Sequence, residues 1–163
     1  MEPPQTITDY IIRQFGPPDL TAVMNINKKY LPENYPASFF MRQHKDFPEA
    51  FLVAESEEKI IAYIMCRLER GISSLHFKYR NKGHIVSIAV IPEYRKQKIG
   101  TNILRKAIEA VKQKGAKEIF LEVRVTNFTA IDLYEKEGFT KTKVIPGYYR
   151  DGESAYVMAK ELD

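Results

Sequence analysis

Residues 83–111, GHIVSIAVIPEYRKQKIGTNILRKAIEAV, join two sequence patterns that together decide the fold. Residues 83–91 are rich in β-branched side chains and almost unbroken in apolarity, which predicts a strand buried on both faces. From Ile99 the apolar residues recur at helical spacing, and Gly115 predicts the end of that helix. A second strand pattern follows at residues 118–125. This strand, helix and strand succession indicates an α/β protein with parallel neighbours in its sheet.

Segments with the same two periodicities fill the rest of the chain. A short acidic turn separates two of the predicted strands, so these two should pair as a hairpin. The order of elements predicts a mixed α/β sheet with helices on its faces and a right-handed crossover. The further predicted strands are residues 10–15, 50–56, 59–69, 139–149 and 154–162, and the further helices are residues 16–30, 38–47 and 126–138.

Composition limits the classes of protein to which the chain can belong. Its 163 residues, 44% of them hydrophobic, suit a single domain, residues 1–163. The net charge of +4 is too small for a dedicated nucleic-acid binder. The single cysteine, Cys66, lies in an apolar run and predicts a buried thiol in a reducing compartment. Neither a metal-ligand spacing, a bilayer-spanning stretch nor a signal peptide is found, so we expect a soluble, cytoplasmic protein without a metal.

Three cations, Arg95, Lys96 and Lys98, stand directly before the helix that begins at Ile99. The first N–H groups of a helix lack intrahelical partners and carry the positive end of its dipole, so they attract phosphate. Added cations at this end cost a few tenths to about 1 kcal/mol each unless an anion compensates them. The cluster therefore predicts a phosphate site. A solvated helix surface is the alternative, because basic clusters are common there.

This segment resembles the acetyl-coenzyme-A-binding segment of the GNAT (GCN5-related N-acetyltransferase) superfamily, whose loop pattern is (Arg/Gln)-x-x-Gly-x-(Gly/Ala). The resemblance implies a GNAT fold, a mixed and mostly antiparallel twisted sheet of about seven strands with about four helices on its faces. It also implies acetyl-CoA as co-substrate and no metal. The residues that it assigns to the cofactor in this loop and the preceding strand are Ile88, Val90, Arg95, Lys96, Gln97, Lys98, Ile99 and Gly100.

Lys98 departs from the family pattern, because it stands where the first glycine is expected. A positive φ at this position would strain a residue that has a Cβ. We therefore expect Lys98 to be right-handed helical, with its amine adding charge beside the phosphates.

A second segment, VTNFTAIDLYEKEGF at residues 125–139, resembles the family pattern Asn-x-x-Ala-x-x-Leu-Tyr-x-x-x-Gly-Phe. On the residues alone, Asn127 is a good helix N-cap and Tyr134, about two turns later, is an amphipathic core residue. The resemblance implies more. Asn127 matches the residue that hydrogen-bonds coenzyme A, and Tyr134 matches the residue beside its sulfur, where it could protonate the leaving thiolate.

Four separated segments resemble the RimI-type and archaeal NatA-type branch of the family, which acetylates the α-amino group of protein N-termini. They are LPENYPASFF (31–40), GHIVSIAV (83–90), FLEVRVTN (120–127) and GYYRDGESAYVM (147–158). The resemblance implies that protein N-termini are the substrate. An auxiliary subunit and a location near the ribosome remain further options. The residues that it places around the peptide are Leu31, Glu33, Tyr35, Tyr148 and Tyr149, and Phe39 is either a further wall residue or a core aromatic.

Direct attack of the amine on the thioester requires a base, and three residues are candidates. Glu122 alternates with apolar neighbours on its strand, although it could instead pair with Arg124 or be a surface charge. Glu33 lies in the peptide loop or is a helix-end surface charge. His84 is of a residue type that can act as a base near neutral pH, but a histidine at the start of a strand is more often a bystander. The oxyanion needs a fixed donor, for which main-chain N–H groups around Ile88 are suited.

Two other functions remain open on the sequence. A lysine or small-amine acetyltransferase would share the cofactor motifs. A non-catalytic RNA-binding or ribosome-docking module is suggested by HFKYRNKGH, residues 76–84, which interleaves cations with aromatic residues. A solvated hairpin tip explains the same segment.

Overall fold

The computed structural model describes residues 8–163, and its strands form one seven-stranded sheet in the order β1-β2-β3-β4-β5-β7-β6. The pairs β1–β2, β2–β3, β5–β7 and β6–β7 are antiparallel, and β4–β5 is parallel. The strands are β1 Ile11–Gln14, β2 Phe51–Ser56, β3 Lys59–Ile72, β4 Tyr79–Val90, β5 Glu118–Arg124, β6 Thr140–Ile145 and β7 Ala155–Glu161. The helices are α1 Leu20–Tyr30, α2 Ala37–Asp46, α3 Ile99–Gln113 and α4 Phe128–Lys136. The predicted mixed sheet with seven strands and four helices is confirmed.

The chain divides into two compact units, and β3, β4 and α3 each contribute residues to both. The first unit comprises the chain up to Met65 together with Ser87–Ala107, and the second comprises Cys66–Val86 together with Ile108–Asp163. Each unit has its own set of fully buried apolar side chains. They include Phe40, Phe51, Tyr63 and Ile103 in the first unit, and Ile119, Leu121 and Met158 in the second.

The parallel pairing of β4 with β5 positions the centre of the second unit. It joins Lys82 to Glu118, Gly83 to Ile119 and His84 to Phe120, and β4 then continues to Val90. A Cβ added to Gly83 would lie 3.0 Å from the Val111 side chain of α3. Glycine at this position therefore lets the crossover helix pack directly on the strand.

β4 begins at Tyr79, not at Gly83 as the sequence predicted. The alternation of the strand buries Arg80 and Lys82, so residues 79–84 are not a solvated hairpin tip. Arg80 binds the Glu161 carboxylate at 2.7 Å, and the Lys82 ammonium donates to the carbonyl of Ile72 at 2.9 Å. Both cations have oxygen partners within the fold, which removes the main support for an RNA-binding surface here.

Glu118 is fully buried and holds the β3–β4 connection in place. Its carboxylate accepts hydrogen bonds from the Ser73 hydroxyl and from the Ser74 N–H, the latter at 2.9 Å, and it lies 3.6 Å from the Arg80 guanidinium. A buried carboxylate needs such donors, because desolvation without them costs several kcal/mol. The helices of residues 8–163 include none with the length and apolarity needed to cross a bilayer.

The β2–β3 hairpin turns through two strained residues. Glu57 and Glu58 have φ of 49° and 64°, and the flanking Ser56 and Lys59 are paired. Two central residues with positive φ are typical of the tight hairpin turn that favours Asn-Gly. The left-handed conformation costs an ordinary L-residue roughly 1–2 kcal/mol.

We predict that the double substitution Glu57→Asn with Glu58→Gly raises the free energy of unfolding by about 1 kcal/mol, because it relieves this strain. Urea unfolding followed by circular dichroism measures the change. The matched control is Glu57→Ala with Glu58→Ala, which removes the same charges and keeps both Cβ atoms. Equal stabilisation of the two double variants would assign the gain to charge and would contradict the strain argument.

Candidate active site

A histidine held between two carboxylates lies at the last β4 residue that is paired with β5. His84 is buried, with an exposed fraction of 9%. Its Nε2 lies 2.7 Å from Oε2 of Glu122 on β5, and its Nδ1 lies 3.0 Å from Oε1 of Glu69 on β3. The imidazole also stacks on Phe120 with ring centroids 4.3 Å apart. The three strands and the stacked ring thus fix the imidazole orientation.

The hydrogen-bond roles of the two ring nitrogens depend on the tautomer of His84. A neutral imidazole has one N–H, yet both ring nitrogens lie at hydrogen-bond distance from a carboxylate. The Arg67 Nη2 lies 3.5 Å from the same Nδ1, so a neutral ring can donate from Nε2 to Glu122 and accept at Nδ1 from the Arg67 guanidinium. Arg67 donates from Nε to Glu69 at 2.9 Å. Burial acts to raise the pKa of Glu69, but the attraction of His84 and Arg67 outweighs burial and lowers it. A group of this kind can take up and release a proton.

The structure thus brings together two of the three predicted bases, Glu122 and His84. The expectation that His84 starts the strand is wrong, because β4 begins earlier and His84 lies within it. Sequence reasoning missed Glu69 and Arg67. A signal was present on β3, where half-buried Arg67 and Glu69 alternate with the exposed Leu68. This reverses the usual arrangement of apolar residues inside and charged residues outside.

The basic loop before α3 belongs to the first unit and exposes its three predicted cations, Arg95, Lys96 and Lys98. Lys96 and Lys98 have φ of 64° and 63°, so both are left-handed. The expectation that Lys98 is right-handed helical is therefore wrong. The carbonyl of Lys98 accepts the hydrogen bond of the Asn102 N–H at 2.9 Å, so the left-handed residue immediately precedes the helix. The chain takes the conformation of a glycine turn in spite of the lysine side chain.

The side chains of Gln97 and Arg95 in this loop have hydrogen-bond partners within the first unit. The Gln97 Oε1 accepts from the Thr8 N–H at 2.9 Å, and the Arg95 Nε donates to the carbonyl of Val90 at 3.1 Å. Ile99 is buried. The loop therefore has a fixed shape, with three exposed cations at a helix N-terminus. Such a surface can hold phosphate groups.

The second motif forms α4 as the sequence predicted. The Asn127 side chain caps the helix by accepting from the Ala130 N–H at 3.3 Å. Tyr134 is buried beside Phe139, with ring centroids 5.7 Å apart. Burial raises the pKa of the Tyr134 phenol, and the nearby Cys66 thiol raises it further. Burial also raises the pKa of Cys66, which agrees with the expected inert thiol.

The predicted peptide residues occupy two loops, one in each unit. Between α1 and α2, Tyr35 stacks on Phe39 with centroids 4.5 Å apart, and Leu31 and Glu33 are half-buried. In the second unit, Tyr148 packs edge-on against Tyr149 at 4.9 Å.

The Arg124 guanidinium lies 4.0 Å from the centroid of the Tyr149 ring and also binds Asp151 and Glu153. The aromatic pairs Tyr35–Phe39 and Tyr148–Tyr149 form rigid apolar walls.

A separate cavity of about 560 Å³ lies in the first unit and contains none of the predicted site residues. Its lining mixes apolar and charged side chains. It is formed by Pro18, Asp19, Ala22, Asn25, Ile26, Lys29, Tyr30, Glu55, Glu58, Lys59, Ile60, Ile91 and Glu93.

Comparison with known proteins identifies the family. The sequence profile of the Acetyltransferase (GNAT) family matches residues 20–139. The N-alpha-acetyltransferase of Saccharolobus solfataricus is 45% identical over 157 residues, which cover 94% of each chain. NAA10 of Arabidopsis thaliana, named as the catalytic subunit of the N-terminal acetyltransferase A complex, is 34% identical over 93% of this chain and 77% of its own.

Among solved structures, Arabidopsis thaliana Naa50 in complex with the bisubstrate analogue CoA-Ac-MVNAL superimposes with a TM-score of 0.78. The two proteins are 25% identical, and the superposition covers 94% of this chain and 99% of the other. Sequence motifs, fold and relatives agree, and the chain belongs to the acetyltransferase (GNAT) family.

Proposed function

We propose that this chain is a protein N-alpha-acetyltransferase, which transfers an acetyl group from acetyl-CoA to the free α-amino group of protein N-termini. The observation that carries the proposal is the hydrogen-bonded His84–Glu122 pair at the last paired residue of β4. It occurs in a chain that matches a relative of that name over 94% of its length. We further propose that residues 1–163 form one acetyltransferase domain.

Acetyl-CoA binds through its phosphates to the basic loop. Arg95, Lys96 and Lys98 supply charge, and the first N–H groups of α3 supply hydrogen bonds. Gln97 contributes through its main chain, because its side-chain oxygen already accepts from Thr8. Further cofactor contacts come from Ile88, Val90, Ile99, Gly100, Asn127 and Tyr134.

The reaction is a direct transfer between two bound substrates. The neutral α-amine attacks the thioester carbon and forms the new C–N bond, while the carbonyl oxygen becomes an oxyanion that accepts from the N–H of Ile88. Collapse of this intermediate breaks the C–S bond. The coenzyme thiolate leaves and takes a proton from Tyr134, which regains a proton from solvent. The proton lost by the amine passes to the Glu122–His84 pair, which then releases it to solvent. An α-amine, with a reference pKa of about 8 against about 10.4 for lysine, needs only a modest base.

The peptide lies against Leu31, Glu33, Tyr35, Tyr148 and Tyr149. The Glu33 carboxylate attracts the incoming ammonium group, and the Tyr35–Phe39 stack forms an apolar wall for the first side chain. The proposal places the protein in the cytoplasm near the ribosome, where new N-termini first become accessible. An auxiliary subunit is a further part of it, since one relative is named as the catalytic subunit of a complex.

The first test offers acetyl-CoA and short peptides to the purified protein and locates the acetyl group by mass spectrometry. The peptides have a free or a blocked α-amine, each with and without an internal lysine. We expect transfer to the free α-amine only. Transfer to lysine alone would move the protein to the side-chain branch of the family, and no transfer to any peptide would contradict the proposed activity.

The second prediction concerns the proton-accepting pair. Glu122→Gln and His84→Gln should each lower kcat roughly 100-fold, the typical contribution of general acid–base catalysis. The double variant should lose little more than either single variant, because the two residues act as one unit. Steady-state kinetics with saturating acetyl-CoA measures all three. The matched control is His76→Gln, which alters a histidine–glutamate pair outside the site, His76–Glu161, and leaves the contact of Arg80 with Glu161 in place. Losses that multiply in the double variant would mean that the two residues act separately.

The third prediction concerns the leaving group. Tyr134→Phe should lower kcat about tenfold, because a coenzyme thiolate is a fair leaving group even without a proton donor. Binding of coenzyme A, measured by calorimetry, should be unchanged. Tyr79→Phe is the control, since Tyr79 is an exposed tyrosine outside the site. A Tyr134→Phe variant with the full rate would remove the phenol from the mechanism.

A further inference from the structure

Three buried polar side chains connect the α1–α2 loop to the middle of β4, all within the first unit. They are Asn27 on α1, Tyr63 on β3 and Ser87 on β4, with exposed fractions of 1%, 0% and 7%. None of them belongs to the His84 cluster or to the basic loop before α3. Buried polar groups of this kind require partners, and the identity of those partners indicates what the chain of contacts does.

The Asn27 side chain uses both ends of its amide on the loop. Its Nδ2 donates to the carbonyl of Glu33 at 3.0 Å, and its Oδ1 accepts from the N–H of Tyr35 at 3.3 Å. A rotated amide would place donor against donor and acceptor against acceptor, so the orientation is fixed. One helical side chain thus holds the main chain on both sides of Asn34.

The main chain of Asn27 adds further contacts to the same loop. Its carbonyl accepts from the Leu31 N–H at 3.1 Å and from the Asn34 side chain at 3.0 Å. Residues 31–36 contain no helix or strand, yet they are anchored repeatedly to one residue. The loop conformation is therefore determined by α1 and not by regular secondary structure.

The second donor of the Asn27 amide continues the connection inward. It reaches the Tyr63 hydroxyl at 3.1 Å, and this hydroxyl lies 2.6 Å from the Ser87 hydroxyl. Burial raises the pKa of Tyr63 to about 12, with hydrogen bonds from Ser87 and Asn27 acting in the opposite direction. The phenol therefore stays protonated at working pH and remains a fixed hydrogen-bonding group.

We infer that Asn27, Tyr63 and Ser87 are positioning residues that set the peptide-binding loop, and with it Glu33 and Tyr35, relative to the centre of β4. The inference rests on the proposed function. Ser87 is followed by Ile88, whose N–H is the proposed oxyanion donor, so the network ties the amine-binding loop to the strand that receives the acetyl carbonyl. A core role alone would not require both ends of the amide to be bonded to the loop main chain.

Two variants test the network. Tyr63→Phe removes one hydroxyl from a fully buried ring. Asn27→Asp is isosteric, keeps the acceptor for Tyr35 and removes the donor to Glu33. Each should raise the peptide KM roughly three- to tenfold, the effect of one or two hydrogen bonds, and leave the acetyl-CoA KM within about twofold. In both variants the Tyr35 amide should exchange with deuterium faster than in the original protein.

The control for general destabilisation is Ile64→Val, which removes a methylene from a fully buried residue of the same strand. It should leave the peptide KM and the Tyr35 exchange unchanged. The inference is overturned if Tyr63→Phe and Asn27→Asp leave peptide KM unchanged, raise both KM values equally, or behave like Ile64→Val. If the original protein acetylates no peptide, the proposed function fails, and Tyr35 exchange alone then decides whether the network holds the loop.

Discussion

The parallel pairing of β4 with β5 is the constraint on which the other features of this protein depend. Parallel strands cannot be joined by a tight turn, so the chain must leave the end of β4, form a helix and return. This crossover places the basic loop and the N-terminus of α3 directly after β4. The registered pairing is short and ends at His84. The same pair of strands therefore determines where the basic loop begins and where the buried histidine meets its glutamate.

The alternation of inward- and outward-facing residues along β4 determines both how the strand packs and where His84 lies. Arg80, Lys82 and His84 all face the interior of the second unit, and each desolvated group meets an oxygen acceptor. The partners of Arg80 and Lys82 are structural groups, a carboxylate and a main-chain carbonyl. His84 differs because two carboxylates lie at hydrogen-bond distance from its ring nitrogens. A strand that must pair its buried cations thus also carries a residue suited to acid–base chemistry.

Most of the element order was predictable from the sequence, because strand and helix periodicities are local properties. The motif that contains Asn127 and Tyr134 was equally accessible, since its residues form one continuous segment and the Asn127 cap is local to α4. The errors concern longer-range geometry. The start of β4 depends on partners of Arg80 and Lys82 that are distant in sequence, and the left-handed Lys98 depends on how the chain enters α3. Glu69, Asn27 and Tyr63 were missed for the same reason, although Asn27 occupies a core position of an amphipathic helix.

The left-handed lysines before α3 also link folding to ligand binding. Backbone strain at Lys96 and Lys98 lowers the free energy of unfolding. Repulsion among the three nearby cations lowers it further when no anion is present. Under the proposed function, the phosphates of acetyl-CoA would neutralise this repulsion, and little entropy would be lost because the loop already has a fixed shape. Bound cofactor should therefore raise the free energy of unfolding of the whole chain. In a cell, the lifetime of this protein would then follow the supply of its acetyl donor.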